Sequence, residues 1–580
     1  MMEEKMSYTE KSQQWFTYNN LNEELKAELN TLWNQPKELE DRFYKALEFG
    51  TGGMRSELGV GTNRLNIYTV RKAIDGLARY IVEQGEEAMR RGVVVAYDSR
   101  HKSEEFAMEI AQVLGHYNIK SYVFDALRPT PELSFSIRYL NSFAGIVITA
   151  SHNPPEYNGI KIYAEDGGQI PLEMAEVITS YINQVENELM IPFVQYETLL
   201  KNGLLQMIGE EFDKAYLAAL DTLQLRKVAK SDMKIVFTPL HGTAHHLVPE
   251  GLKRFGFEHI ILVEEQMTPD PEFSTVVSPN PEEHAAFEYA IRYGEKHDAD
   301  LLLATDPDAD RLGVAIKNAQ GEYEVLTGNQ TGALMLHYIL EQKKRLGTLP
   351  LNGVVLKTIV TSEIGRTIAQ NYGIEAIDTL TGFKFIGEKI KQFEEQSSHT
   401  FLFGYEESYG YLIKEFARDK DAVQAAVFIT EVAAYYHEQG ITLYTALLNL
   451  MNQYGYYQED LVSLTLKGKD GATQIQEMMQ QARQSPINEV AGKKVVMIED
   501  YLSGQRNNYQ TGVMSQIDLP TSNVLKLYLE GDTWITLRPS GTEPKIKFYF
   551  SVKEDTLDLS KSMLRKLKEE FMNTIQGVTI

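Results

Sequence analysis

The sequence predicts three similar α/β domains with mixed, largely parallel sheets, followed by a smaller α+β domain at the C-terminus. Three observations predict it. Apolar, strand-like runs fall into three groups of three, segments of helical character separate the runs, and the texture changes after about residue 455. Strand, helix, strand at such separations is the signature of α/β units with parallel sheets.

Taken in order, the first group is VVVAYD (93–98), SYVFDA (121–126) and GIVITAS (145–151). The second is KIVFTPL (234–240), HIILVE (259–264) and DLLLATD (300–306), and the third VVLKTIV (354–360), IEAIDTL (374–380) and FLFGYEES (401–408). SEEFAMEIAQVLGHYN and PEEHAAFEYAIRYGEKH are examples of the helical segments between runs. In each group the third run leads into the most chemically loaded stretch of its region. Beyond residue 455 a polar, helical segment precedes NVLKLYLEGDTWITLRPSGTEPKIKFYFSV, which alternates like antiparallel strands with Ile546, Phe548 and Phe550 on one side. The boundaries expected are 1–205 with an N-terminal helical extension, 206–325, 326–455 and 456–580.

At 580 residues the chain exceeds a single core. Its net charge of −24 weighs against nucleic acid or an anionic membrane as partner. The absence of cysteine excludes disulfides, thiolate zinc sites and a cysteine nucleophile. The first residues lack the apolar region of a signal peptide, and no apolar run is long enough to span a bilayer, so the expected location is the cytoplasm.

The chemistry lies in the loops. In AGIVITASHNPPEYNGIKIY (144–163) a β-branched run ends on Ser151 and His152 at a stiff Asn-Pro-Pro turn, because proline cannot continue a ladder. Ligands of open α/β sheets bind at such strand ends. LLLATDPDADR places Asp306, Asp308 and Asp310 at alternate positions after an apolar strand, a hard oxygen set suited to magnesium or calcium. A calcium EF-hand is excluded, since Arg311 and Lys317 stand where glycine and glutamate are required. LRPSGTEPKIKFY (537–549) combines Arg538, Ser540, Gly541 and Thr542 in a loop suited to a phosphate. FGTGGMRS (49–56) ends on Arg55 and also suits an anion. GYEESYGY (404–411) sets Glu406 and Ser408 two apart, able to accept from and donate to adjacent sugar hydroxyls. ARDKDAV (417–423) adds Arg418 and Lys420, and there is neither a Walker A sequence nor a dinucleotide fingerprint.

These loops occur in an order that resembles the α-D-phosphohexomutase family, within it the long bacterial-type phosphoglucomutase and phosphopentomutase-like branch. TASHNPPEYNGIK is similar to the family's phosphoserine loop, DPDADR to its metal loop, GYEESYGY to its sugar loop and RPSGTEP to its phosphate loop. FGTGGMR, TPLHG (238–242) and TGFKFIG (381–387) match as well, so the likeness covers nearly all of the chain from about residue 45. The resemblance implies three α/β domains and a smaller fourth around a deep cleft, and a phosphoserine at Ser151. It implies Mg²⁺ held by Asp306, Asp308, Asp310 and the Ser151 phosphate, with glucose 1,6-bisphosphate as intermediate and activator. Arg538, Ser540, Gly541 and Thr542 would hold the idle phosphate, Glu406 and Ser408 the ring hydroxyls, and Arg311 and Lys384 the sugar or its phosphate. Lys161 and Lys420 match positions linked to proton transfer or to the moving phosphate. Acting as a base near neutrality requires a lowered lysine pKa. His152 is a third candidate, in a positioning role. The expected activity is phosphoglucomutase. The alternatives are phosphopentomutase, phosphomannomutase or glucose-1,6-bisphosphate synthase of the same family, and a Mg-dependent sugar-phosphate phosphatase. The expected partners are sugar phosphates, acted on by a monomer or homodimer.

Overall fold

A computed structural model of the chain describes residues 7–50, 52–227, 231–466, 468–485, 487–540 and 545–577. The chain forms two compact units, Met1–Leu326 with Gly387–Ser397 and Ser408–Tyr435, and Thr327–Ile386 with Ser398–Glu407 and Tyr436–Ile580.

The first unit begins with three short helices, Tyr8–Thr17, Glu23–Leu32 and Pro36–Phe43. Ser7 and Glu10 close a capping box on the first, Asn22 caps the second, and Pro36 opens the third, so each start is locally encoded. Their apolar faces place Trp15, Leu29, Leu32, Leu39 and Phe43 in the same core as Ile74 and Ile182. The buried Trp15 indole donates to Glu188 at 2.8 Å.

The first sheet contains β1 (Gly53–Glu57), β2 (Val93–Tyr97), β3 (Ser121–Phe124), β4 (Ala144–Ile148), β5 (Tyr157–Ala164) and β6 (Leu205–Ile208), in the order β1-β5-β4-β2-β3-β6. Strands β4, β2, β3 and β6 run parallel, and β5 and β1 are antiparallel additions at one side. The second sheet has β7 (Ser231–Thr238), β8 (Phe257–Leu262), β9 (Leu301–Thr305), β10 (Leu312–Lys317) and β11 (Tyr323–Val325), in the order β11-β10-β9-β7-β8. Its β7 pairs in parallel with β8 and β9, while β10 and β11 are antiparallel.

In the second unit, β12 (Gly353–Thr358) pairs in parallel with both β13 (Glu375–Thr379) and β14 (Thr400–Tyr405). The C-terminal sheet is antiparallel. Tyr456–Thr465, Lys545–Glu554, Thr533–Pro539, Leu525–Leu529 and Lys493–Asp500 lie side by side, and the hairpin Gln505–Asn508 and Val513–Gln516 continues it. Ile546, Phe548 and Phe550 are fully buried in a core shared with Leu567 and Phe571 of the last helix, Leu557–Gly577.

Three α/β layers and a sheet-rich C-terminal region are thus present, as the grouping of strand-like runs predicts. In all three triplets the first strand is central, with the second on one side and the third on the other. That order creates a switch point at the carboxyl ends of the first and third strands. The structure also ends β4 at Ile148, so the expected run to Ser151 is partly loop. Strands β1, β5, β10 and β11 were not among the nine expected runs. In β5, Asn158, Gly159 and Lys161 break up the apolar signal that marks a strand.

Candidate active site

Beyond β4 the chain turns sharply. Ser151 has φ +52°, a left-handed conformation that a serine adopts only under tertiary constraint, and its side chain is buried. Thr149 Oγ1 accepts the Ser151 N–H at 2.8 Å, which locks the turn. Ser151 Oγ then donates to Asp306 Oδ2 at 2.6 Å and lies 3.2 Å from His152 Nδ1. Burial, then the nearby Arg311 and Arg55, holds His152 well below the ordinary imidazole pKa, so the ring is neutral. Arg55 on β1 donates to Asn153 Oδ1 at 2.8 Å and so touches the same loop.

Beyond β9, Asp306, Asp308 and Asp310 are buried, with one oxygen of each within 4.8 Å of the others. Asp306 Oδ1 accepts the N–H groups of Asp310 (3.1 Å) and Arg311 (3.0 Å), which curls the loop, and Ala309 takes φ +55° at the bend. Burial, then Asp308 and Asp310, pushes the Asp306 carboxyl well above the usual range. Asp310 lies far below it, because Lys161, Lys420 and Arg311 together outweigh burial. Asp308 Oδ1 and Asp310 Oδ1 are buried and accept no hydrogen bond from a described residue. Clustered carboxylates with such orphan oxygens are unfavourable until a cation satisfies them, and the all-oxygen set fits a hard divalent ion.

Two lysines reach this loop. Lys161 on β5 has its Nζ 2.8 Å from Asp308 Oδ2 and 3.2 Å from Asp310 Oδ2, and Lys420 Nζ is 3.1 Å from Asp310 Oδ2. Burial opposes the Lys161 charge, but Asp308 and Asp310 outweigh it and raise the pKa above 10.5. The lowering that a lysine base needs is therefore not found at Lys161. Arg311 pairs with Glu282. The segment carrying Ser408 joins the same loop, where Leu312 N–H donates to Tyr409 O at 3.0 Å and Arg311 bridges Gly410.

In the second unit Glu406, at the end of β14, is buried and accepts the Gly382 N–H at 3.0 Å. Lys384 follows two residues later in the helix Phe383–Gln396. Arg538 stands near the end of the strand Thr533–Pro539, its Nη1 3.5 Å from Tyr549 Oη, and Ser540 N–H donates to Lys545 O at 2.7 Å. The expected phosphate-loop members Gly541 and Thr542 lie outside the described residues.

Models of the phosphoglucomutase/phosphomannomutase α/β/α domains I, II and III match residues 46–189, 214–321 and 327–454. The chain belongs to the phosphoglucomutase/phosphomannomutase family. It is 41% identical over 525 residues to a phosphoglucomutase of Staphylococcus aureus (strain MRSA252), covering 90% of this chain and 92% of that one. A phosphoglucomutase of Staphylococcus epidermidis is 39% identical over 538 residues, covering 93% and 96%. A putative phosphomannomutase from Thermus thermophilus shares the fold at TM-score 0.67 and 21% identity, over 92% of this chain and 99% of that one. The open form of Paramecium parafusin does so at TM-score 0.67 and 17% identity, over 92% and 95%.

In this member of the phosphoglucomutase/phosphomannomutase family, sequence reasoning missed the residues that hold the loops. All come from segments after the first or second strand of a triplet. Arg100, after β2, is 3% exposed and donates to Ser151 O (2.6 Å), Pro154 O (2.7 Å) and Tyr157 O (2.9 Å), and to Asn153 O. Asp98 lies 3.3 Å from its Nε, and the Phe273 ring covers its face at 4.9 Å. One guanidinium therefore fixes the backbone of the serine loop. After β7, Thr243 donates its N–H (2.8 Å) and hydroxyl (2.9 Å) to Pro307 O. Gly242 is required beside it, since a Cβ there would lie 2.4 Å from Pro307 Cα. At the end of β12 and just beyond it, the Thr358 and Thr361 hydroxyls donate to Glu407 Oε2 at 3.1 and 3.2 Å. The strand order was the available signal, since a switch point involves the loops after both the first and third strands.

Proposed function

We propose that the chain interconverts glucose 1-phosphate and glucose 6-phosphate through a phosphoserine at Ser151 and a glucose 1,6-bisphosphate intermediate. The observation that carries this is Ser151 itself, a left-handed serine at a strand end with Oγ 2.6 Å from one of three clustered carboxylates. The phosphoglucomutase relatives support glucose as the sugar.

In the first half-reaction the phosphorus–Oγ bond of phospho-Ser151 breaks as a bond forms to the sugar's 6-oxygen, which gives up its proton while Oγ takes one. In the second, the phosphorus–O1 bond breaks, the phosphoryl group returns to Ser151 Oγ as that hydroxyl gives up its proton, and O1 takes a proton. The enzyme ends phosphorylated, and the isomer is the only net change. Asp306, Asp308 and Asp310 would hold Mg²⁺ together with a phosphate oxygen, and the ion would supply neutralisation of charge on the transferring group. Lys161 and Lys420 contribute positive charge beside the same loop. His152, with Nδ1 3.2 Å from Ser151 Oγ, would hold the serine side chain in position. Arg100 keeps Oγ in line by fixing the loop backbone. Glu406 and Ser408 read the ring hydroxyls, Arg55, Arg311 and Lys384 contact the sugar phosphate, and Arg538, Ser540, Gly541 and Thr542 hold the phosphate that is not reacting. The absence of cysteine agrees with a reducing, cytoplasmic setting, and among the described residues no helix is long and apolar enough to cross a membrane.

The test is an assay with Mg²⁺ and trace glucose 1,6-bisphosphate on glucose, mannose, glucosamine and ribose 1-phosphates, with intact-mass measurement of the purified protein. Glucose 1-phosphate should isomerise fastest, and Ser151→Ala should abolish both turnover and the covalent phosphate. Release of inorganic phosphate without isomer would make the protein a phosphatase, and faster turnover of ribose 1-phosphate a pentose mutase.

A further inference from the structure

We propose that Thr130 is a positioning residue that decides which oxygen of Asp308 is presented to the metal. This rests on the metal reading under Proposed function and goes beyond it. Thr130 stands after β3, 178 residues before Asp308 in the chain, and is fully buried. It opens the helix Thr130–Leu140, between Pro129 at the cap and Pro131 in the first turn. The capping position is held by Pro129, which offers no side-chain acceptor, and Thr130 stands one residue further on, in the first turn. Its hydroxyl donates to Asp308 Oδ2 at 2.9 Å, and its backbone N–H, one of the orphan donors of a helix start, donates to Asp308 O at 2.9 Å.

Asp308 is therefore gripped at both ends by one residue. Lys161 Nζ, 2.8 Å away, occupies the same Oδ2. With two donors on Oδ2, rotation of the carboxylate is blocked, and Oδ1 is left buried with no donor among the described residues. Thr130 performs this selection without adding charge, so the negative charge that attracts a cation is retained. Partners of this kind orient metal ligands, and removing one typically weakens metal affinity about 10–100-fold.

The test uses the near-isosteric Thr130→Val, the hydroxyl-restoring Thr130→Ser, and Asp308→Asn, each in the full-length protein. Mn²⁺ binding is measured directly by electron paramagnetic resonance, alongside the Mg²⁺ concentration for half-maximal turnover and the KM for glucose 1-phosphate. Thr130→Val should raise the Mn²⁺ dissociation constant about 10–100-fold and the Mg²⁺ requirement in parallel, with KM for the sugar little changed. Thr130→Ser should restore most of the affinity. Wild-type Mn²⁺ binding by Thr130→Val, with binding lost in Asp308→Asn, would overturn the inference and leave the metal reading standing. Equal weakening in Thr130→Ser and Thr130→Val would overturn it in favour of a packing role. Unchanged binding by Asp308→Asn would overturn the metal reading, and the inference with it.

Discussion

The loop after β9 and the loop after β14 leave their sheets at the same place, beyond the third strand of a triplet, and each is braced from the loop after the first strand. The braces take different atoms. In the second sheet Thr243 grips the backbone oxygen of Pro307, and the carboxylates of Asp306, Asp308 and Asp310 are left clustered. In the third sheet Thr358 and Thr361 grip a carboxylate, that of Glu407, while its neighbour Glu406 accepts a backbone N–H from Gly382. A backbone brace keeps like charges together and so creates a demand for a cation. A side-chain brace occupies one acid of an adjacent pair, while the other accepts from the backbone of the neighbouring loop. The place in the repeat sets where a loop emerges, and the atom that is braced sets what the loop can bind.

The sharpest way to break this comparison is Asp308→Ala. On the proposed metal reading, removing a carboxylate from the clustered loop should lower turnover by about 10³-fold or more, because a bound divalent ion would supply several kcal/mol of charge stabilisation. Turnover near wild type in a Mg²⁺-dependent assay would show that the demand for a cation is not what the backbone brace preserves. The serine loop tests a third kind of brace, one side chain on several carbonyls. Arg100→Lys cannot reproduce the planar fork, so kcat should fall about 10²-fold with KM little altered. Steady-state kinetics together with a melting curve would separate this from unfolding. Glu406→Gln should act mainly on sugar recognition, raising KM about tenfold through a hydrogen bond to a charged group. An effect confined to kcat would reassign the residue.

The smallest effect on turnover concerns the brace of the third sheet. Ser362, the residue after Thr361, and Asn329 lie beside Glu459, whose buried carboxyl is pushed up from 4.5 to about 7, chiefly by burial. The folded protein then holds a proton that the unfolded chain loses above the ordinary pKa. The associated stability is complete below pH 4.5, declines as pH rises toward 7, and changes no further above it. Glu459→Gln should remove that slope, about 3 kcal/mol between the two ends, in denaturant titrations at several pH values. Parallel curves for the two proteins would place the proton elsewhere.

Most of the fold was legible because apolar β-branched runs spaced by helical segments are a local pattern. The antiparallel additions were harder to see. Strand β5 interleaves Lys161 with apolar residues, and its lysine faces a partner about 150 residues away rather than solvent. Among the site residues, Ser151 and the three aspartates announce themselves by their place after apolar strands. Arg100, Thr130 and Thr243 do not, since an arginine or threonine after a strand is ordinary until its partners are known. Lys161 was legible as a cation near the site, while the direction of its pKa shift depended on two carboxylates brought to it by folding.

By itself the sequence determined the three-fold grouping of strands, the proline turn that follows the serine and the alternating aspartates, because each is a matter of neighbouring residues and backbone propensity. Only the tertiary structure decided that Ser151 is held left-handed, that Asp308 Oδ1 meets no donor among the described residues, and that Lys161 is bound to carboxylates. The physical reason is that each depends on a hydrogen bond or ion pair across about 50 to 180 residues of chain, whose donors are brought together by sheet order.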